Sequence, residues 1–218
     1  MALDEIPRQV AGTSNLHLAM KYNIKAMGTI AHEIPMAYMG IYGATDRGLM
    51  DSQRYVLRDW WDTFHGPYSI ALPDTVTSQW FFDNAFTPQM LHDWWGSRHD
   101  SADPFSYGEM MIARYLSAGI DPRRKMIVFS DGLTDDLIVD LWDRFSDRIG
   151  CGFGWGTNWT NDLGPRPISQ VVKLVEANGR PVVKLSDNVQ KAIGEPDAIH
   201  RALRVFGGSG RTDEEVVY

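Results

Sequence analysis

Short apolar runs alternate with longer amphipathic stretches along most of this chain. Val10–Gly12, Lys25–Ile30, Tyr68–Leu72, Trp95–Arg98, Lys125–Phe129 and Cys151–Phe153 are too brief for helices and read as strands. Between them lie helical patterns. Leu16–Tyr22 is short. Asp51–Phe64 places Tyr55, Leu57, Trp61 and Phe64 at mixed three- and four-residue steps. Phe105–Ala118 carries Met110, Met111, Ala113, Tyr115 and Leu116, and Asp135–Phe145 carries Leu137, Ile138, Leu141, Trp142 and Phe145. Strand-helix alternation predicts parallel β/α units. Gly119 followed by Asp121-Pro122 marks one helix-to-strand connection.

The last quarter departs from this rhythm. Ser169–Val175 and Pro181–Leu185 are apolar runs on either side of Asn178-Gly179, a strong hairpin signal. A helix over Pro196–Val205 follows, then a Gly-rich acidic tail, Gly207–Tyr218, expected to be extended or mobile. There is no internal repeat. The expected fold is a single α/β domain over 1–218, with an ordered core of about 10–206.

Composition narrows the function classes. The 218 residues carry a net charge of −7, with Lys and Arg scattered, so nothing suggests a face for nucleic acid. An anionic ligand would need local donors such as backbone amides or a few placed Arg residues. Cys151 is the sole cysteine, which excludes an intrachain disulfide. The N-terminus lacks a charged-then-apolar leader pattern, and no apolar run approaches the roughly 20 residues of a membrane helix. A cytoplasmic location without membrane contact is the expectation. Trp60-Trp61, Trp80, Trp94-Trp95 and Trp142 lie in or beside amphipathic runs and are expected in the core or a subunit interface.

Parallel β/α folds bind ligands beyond the C-terminal ends of their strands. Those positions here carry Ala31-His32-Glu33, Pro73-Asp74-Thr75, Arg98-His99-Asp100-Ser101, Ser130-Asp131-Gly132 and Gly154-Trp155-Gly156-Thr157-Asn158. Polar or ionisable groups at five successive strand ends favour one shared site. Gly154-Trp155-Gly156-Thr157 reads either as a phosphate cradle, with backbone amides and the Thr157 hydroxyl as donors, or as a tight turn. His32 reads as a catalyst or as a satisfied structural histidine. No second His stands at a zinc-ligand spacing from it. His99 suits a metal site, a substrate site or a solvated loop. His17, His65, His92 and His200 fall in helical or turn patterns and read as structural.

The stretches GTSNLHLAMKY, GTIAHEIPM, IALPDT, RHDSADP, FSDGL, FGWGTNWTNDLG and PISQVVKLVEANGRPVVKLSD, in this order, resemble nicotinate phosphoribosyltransferases from Gly12 to Phe206. The resemblance implies part of a type II phosphoribosyltransferase-like β/α barrel with a C-terminal β-hairpin and helix. It implies formation of nicotinate mononucleotide and pyrophosphate from nicotinate and phosphoribosyl pyrophosphate, within NAD salvage. ATP hydrolysis would be coupled to this through a phosphohistidine, and Mg²⁺ would accompany the pyrophosphate or ATP.

By the same resemblance His32 carries the phosphate, and Thr29 and Arg98 lie near nicotinate. Asp100 and Ser101 serve the ribose-phosphate end. Gly154, Gly156 and Thr157 hold the 5′-phosphate, and Asp74 and Ser130 are polar strand-end positions. No protein metal site is expected. Arg98 suits a planar carboxylate. Two residues depart from the family pattern. Trp155 stands where a smaller aliphatic residue is usual, and Ala102 replaces a glycine, which strains the turn if φ is positive there.

Nothing in the sequence matches the family's N-terminal domain, its first barrel strands or its Phe-Gly-Thr-Arg-Arg-Arg segment. The expected active site is therefore incomplete. The expectation is a homodimer or a complex with an N-terminal half; the alternative is a catalytically silent fragment or assembly subunit that keeps the fold and binds phosphate.

Overall fold

The computed structural model describes residues 10–156, 159, 164–165, 170–209 and 211–213. Its centre is a parallel sheet of β1 (Ile70–Ala71), β2 (Gly96–His99), β3 (Met126–Phe129) and β4 (Gly150–Phe153), ordered β1-β2-β3-β4. Each strand pairs with the next in sequence, as the helical crossovers require. The expected strands at Val10–Gly12 and Lys25–Ile30 reduce to a single parallel bridge, Thr13 with Ala26. These segments have too little cover to extend a ladder: Lys25 and Gly28 are exposed.

The helices begin where side-chain caps permit. α1 is Leu16–Tyr22, started by the Asn15 side chain accepting from the Leu18 amide. α3 is Asp46–Phe64, longer than the apolar spacing alone suggests, because the Thr45 hydroxyl caps it a full turn earlier. α4 is the single turn Ser78–Trp80, which widens into a π-turn over Phe81–Ala85, and α5 is Pro88–Asp93. Asp103 caps α6 (Pro104–Ser117), with Pro104 in the first turn, where it costs no hydrogen bond. Thr134 caps α7 (Asp135–Phe145), and α8 is Pro196–Phe206.

The sequence pattern does not disclose α2, Glu33–Tyr42. It is apolar on every side, with Pro35 and Gly40 interrupting it, so no amphipathic stripe marks it. It packs against α3 and beneath the hairpin. Gly40 is required there: a Cβ would stand 2.4 Å from the Ala177 carbonyl oxygen. The hairpin is shorter than the apolar runs suggest, pairing only β5 (Glu176–Ala177) with β6 (Arg180–Pro181). Its turn residues Asn178 and Gly179 both have positive φ, 52° and 69°, as a two-residue hairpin needs. Ser169 lies outside the described residues.

The core lies between the sheet and its helices. Ile127 and Phe129 on β3 are fully buried against Phe145 and its neighbours, each worth about 2–3 kcal/mol of burial. Met126 and Val128, on the opposite face of the strand, are only half-buried. Trp94 is in the core, Trp60, Trp61 and Trp80 pack at its margin, and Trp142 is 53% exposed. The tail is not uniformly free: Arg211 donates to the carbonyls of Leu185 and Ser186, and Thr212 bridges to Asn188. Among the described residues no helix is long and apolar enough to cross a membrane.

Candidate active site

Strand parity assembles the site. Ile70, Gly96, Met126 and Gly150 share one level of the sheet, and Arg98, Val128 and Gly152 share another. Side chains alternate between faces, so Arg98, Asp100, Ser130 and Gly154 fall on the face away from the helices. His99, between Arg98 and Asp100, points the other way. It is buried against Tyr107 and Phe129, and its Nε2 meets the Ala102 carbonyl at 3.0 Å. Burial holds its pKa below the ordinary histidine value. His99 is thus neither in a solvated loop nor among the site residues.

Arg98 ties the face together. Its Nε donates to Ser130 Oγ at 2.7 Å, one Nη to Thr29 Oγ1 at 3.1 Å, and the other to Asp100 Oδ1 at 2.8 Å. Ser130 Oγ in turn lies 2.8 Å from the His99 carbonyl and 3.0 Å from Asp100 Oδ1, and its one proton serves either. Four residues singled out in the sequence, Thr29, Arg98, Asp100 and Ser130, form one network.

His32 sits at the mouth of α2 in the N-cap position, yet its side chain does not cap the helix. The buried ring instead crosses to the sheet. Nδ1 is 2.9 Å from Thr75 Oγ1, and Nε2 is 2.9 Å from Asp100 Oδ2 and 3.5 Å from Asp74 Oδ1. Asp74 is fully buried. Its Oδ2 accepts from Ser101 Oγ at 2.9 Å and meets Lys184 Nζ at 3.1 Å, whereas Oδ1 has no hydrogen-bond partner among the described residues. Burial pushes Asp74 up, but Lys184 and His32 outweigh it and keep the carboxyl below its ordinary pKa. Burial likewise opposes Asp100, and the His32 hydrogen bond and the Arg98 charge hold it far below the ordinary range.

The C-terminal segment closes over this cluster. Leu185 and Ser186 donate their amides to the carbonyls of Thr75 and Asp74, at 2.9 and 3.0 Å. That pairing delivers Lys184 to Asp74 and Asp187 to Ser78, whose amide and hydroxyl both donate to the Asp187 carboxylate. The Asp187 amide donates to Ser101 Oγ at 3.1 Å. Burial, with the Asp74 charge adding to it, raises Asp187 to about 6. Further out, Lys173 pairs with Glu33 at 2.9 Å and Lys191 with Asp131.

Gly154 adjoins the network: its amide donates to the Phe129 carbonyl, and a Cβ there would stand 3.1 Å from Ser130 Cβ. Gly156 is exposed, with nothing among the described residues within 4 Å of an added Cβ. Thr157 lies outside the described residues. Trp155 packs against the core beside Trp159, ring centroids 5.0 Å apart. Ala102 has φ +65°, so the non-glycine residue does occupy a left-handed turn.

His32, Asp74 and Asp100 each offer a ligand atom within 4.8 Å of the others. They do not fit a resident metal. Both His32 nitrogens and both Asp100 oxygens already have partners, and two side-chain cations, Lys184 and Arg98, already face the two carboxylates. Magnesium accompanying a pyrophosphate would depend on that ligand's own oxygens.

Thr75, Lys184 and Asp187 were not singled out from sequence. A signal existed for one of them: Lys184 interrupts the apolar run Pro181–Leu185, where an unpaired ammonium would be costly. Asp187 carried no comparable mark, and Thr75 stood only within the strand-end stretch Pro73-Asp74-Thr75.

The profile of the nicotinate phosphoribosyltransferase (NAPRTase) family matches residues 1–209. A nicotinate phosphoribosyltransferase structure from Vibrio cholerae is 38% identical, over 99% of this chain and 51% of that one, with a TM-score of 0.87. One from Porphyromonas gingivalis is 35% identical over 90% of this chain and 51% of that one, TM-score 0.81. A putative one from Saccharomyces cerevisiae is 28% identical over 95% of this chain and 52% of that one, TM-score 0.84. The chain therefore spans about half the length of the structures it matches, and over that span it belongs to the nicotinate phosphoribosyltransferase family.

Proposed function

We propose that this chain supplies the histidine-bearing half of an ATP-coupled nicotinate phosphoribosyltransferase, which forms nicotinate mononucleotide and pyrophosphate from nicotinate and phosphoribosyl pyrophosphate in NAD salvage. The observation that carries the reading is the buried His32 ring, held at both nitrogens. With Asp100 accepting at Nε2, the tautomer that this reading requires carries its proton there and its lone pair on Nδ1, facing Thr75. A neutral, oriented imidazole is what phosphoryl acceptance requires. In this reading Nδ1 attacks the γ-phosphorus of ATP as the Thr75 hydroxyl turns aside. The bond from phosphorus to the bridging oxygen breaks, ADP leaves, and water later releases phosphate from the ring.

The remaining residues position the transfer. Departure of pyrophosphate leaves positive charge on the ribose, and the Asp100 and Asp74 carboxylates are the anions at hand to stabilise it. Arg98 has five N–H groups, of which three are used in the network, so part of its planar edge remains for the nicotinate carboxylate. Ser101, Gly154, Gly156 and Thr157 take the 5′-phosphate. The exposed apolar residues of α1, Leu16 and Met20 at 74% and 79%, suit an interface with a second copy or with an N-terminal half.

The test is incubation with γ-labelled ATP, followed by recovery of acid-labile label. Incorporation in the chain and its loss in His32→Ala are expected; equal incorporation in both would overturn the assignment. A chain that binds inorganic phosphate but takes up no label, alone or with an N-terminal half, would favour the silent-subunit reading.

A further inference from the structure

The His32–Asp74–Asp100 cluster has the atoms of a small metal site and is deeply buried, yet it is built around an ammonium ion. Lys184 reaches it from the C-terminal segment, its Nζ 3.1 Å from Asp74 Oδ2, and the residue is only 5% exposed. A lysine this deep is costly unless its charge is matched. Burial pushes its pKa down, and the Asp74 and Asp100 carboxylates overcome that and hold it above the ordinary value. Across the cluster, Arg98 meets Asp100 at 2.8 Å. The two carboxylates are thus faced by two side-chain cations.

We propose that Lys184 serves as the cluster's built-in cation and excludes a divalent metal from the His32–Asp74–Asp100 set. Without Lys184 the cluster has a surplus negative charge. A divalent ion ligated by one atom from each of the three residues would cancel it. Asp74 Oδ1, buried and without a hydrogen-bond partner among the described residues, is the atom such an ion would claim first. The charge balance holds whatever reaction the site performs. The rigid delivery of Lys184 supports the role. Its backbone is fixed by hydrogen bonds from the Leu185 and Ser186 amides to the Thr75 and Asp74 carbonyls and by pairing with Ile193, so the ammonium is placed by the same contacts that place Asp74.

The experiment needs no substrate. Mn²⁺ is titrated into the wild-type chain and into Lys184→Met, Lys184→Arg and the double variant Lys184→Met/Asp74→Asn, with free Mn²⁺ read by electron paramagnetic resonance. Wild type and Lys184→Arg are expected to leave Mn²⁺ free. Lys184→Met should bind one equivalent at least about tenfold more tightly than wild type. The double variant, again charge-balanced, should bind none.

Stoichiometric Mn²⁺ binding by wild type that is lost in Asp74→Asn would overturn the proposal. So would a folded Lys184→Met chain with no gain of metal. If Lys184→Met does not fold, the double variant decides: restored folding supports charge balance, and continued failure overturns it. Because the readout uses neither ATP nor nicotinate, a failed phosphohistidine assignment would leave these outcomes unaffected.

Discussion

Two lysines are buried at opposite ends of the parallel sheet, and their environments move them in opposite directions. Lys125 lies at the N-terminal end of β3, where its Nζ donates to the carbonyls of His92 and Trp94, at 2.5 and 2.7 Å, above the Tyr115 ring. Burial lowers its pKa, and Asp93 only partly offsets this. Lys184 lies beyond the C-terminal ends, where carboxylates raise it despite comparable burial. Backbone carbonyls satisfy hydrogen-bonding capacity without matching charge, whereas carboxylates match the charge and couple it to their neighbours. One end of the sheet is built for cohesion. The other stores ionised groups that respond to one another, which is the division expected of a β/α fold.

The largest expected difference between the ends concerns pH. Asp187 faces Asp74, Lys184 and Arg211, and its carboxyl is raised to about 6 from an ordinary 3.8. A raised acid favours the folded state when protonated. Its contribution is therefore complete below about pH 4 and is lost as pH rises through about 6. Asp74 and Asp100, both depressed, act with the opposite sign and lose their contribution as pH falls. Comparing wild type with Asp187→Asn isolates the first effect. In urea titrations the variant should gain on wild type by up to about 3 kcal/mol between pH 4 and pH 7.5. Parallel pH curves would show that Asp187 carries no such burden.

At the cohesive end, Lys125→Met should cost about 2 kcal/mol by leaving two carbonyls without their donor. It should leave the His32 ring nitrogen signals in place. A change in those signals would break the separation between the ends. A smaller effect of opposite sign is expected at Ala102, whose φ of +65° suits glycine. Ala102→Gly should stabilise the chain by about 1 kcal/mol, read as a higher Tm. No gain would mean that the site end carries no strain there. Smallest in stability is Gly156→Val, within about 0.5 kcal/mol, because an added Cβ meets nothing among the described residues within 4 Å. That variant should nonetheless weaken phosphoribosyl pyrophosphate binding in calorimetry, once the partner half is present. Unchanged affinity would remove the cradle from the site.

Short apolar runs located β1 to β4 to within about two residues at each end, and periodicity located the helices α6, α7 and α8 nearly residue for residue, because each helix buries one face and turns polar residues to the other. Placement after a strand, with the family resemblance, singled out His32, Asp74, Arg98, Asp100, Ser101 and Ser130, and parity was enough to put several on one face. The apolar helix α2 escaped because it has no polar side to give it a period. His99 was ambiguous because one step along a strand reverses the side chain, and a boundary uncertain by a residue cannot decide which face it takes.

Tertiary structure alone decided what these residues do to one another. Lys184 is 152 positions from His32 in sequence, yet both reach Asp74. The charge on Asp74 and the raised carboxyl of Asp187 depend on distances of 2.5 to 3.5 Å set by backbone hydrogen bonds between Asp74-Thr75 and Leu185-Ser186. Patterns of apolar and polar residues report the burial of faces, which is local and periodic. Electrostatic coupling falls off with distance in space and is indifferent to distance along the chain, so only the folded arrangement reveals which charges face each other.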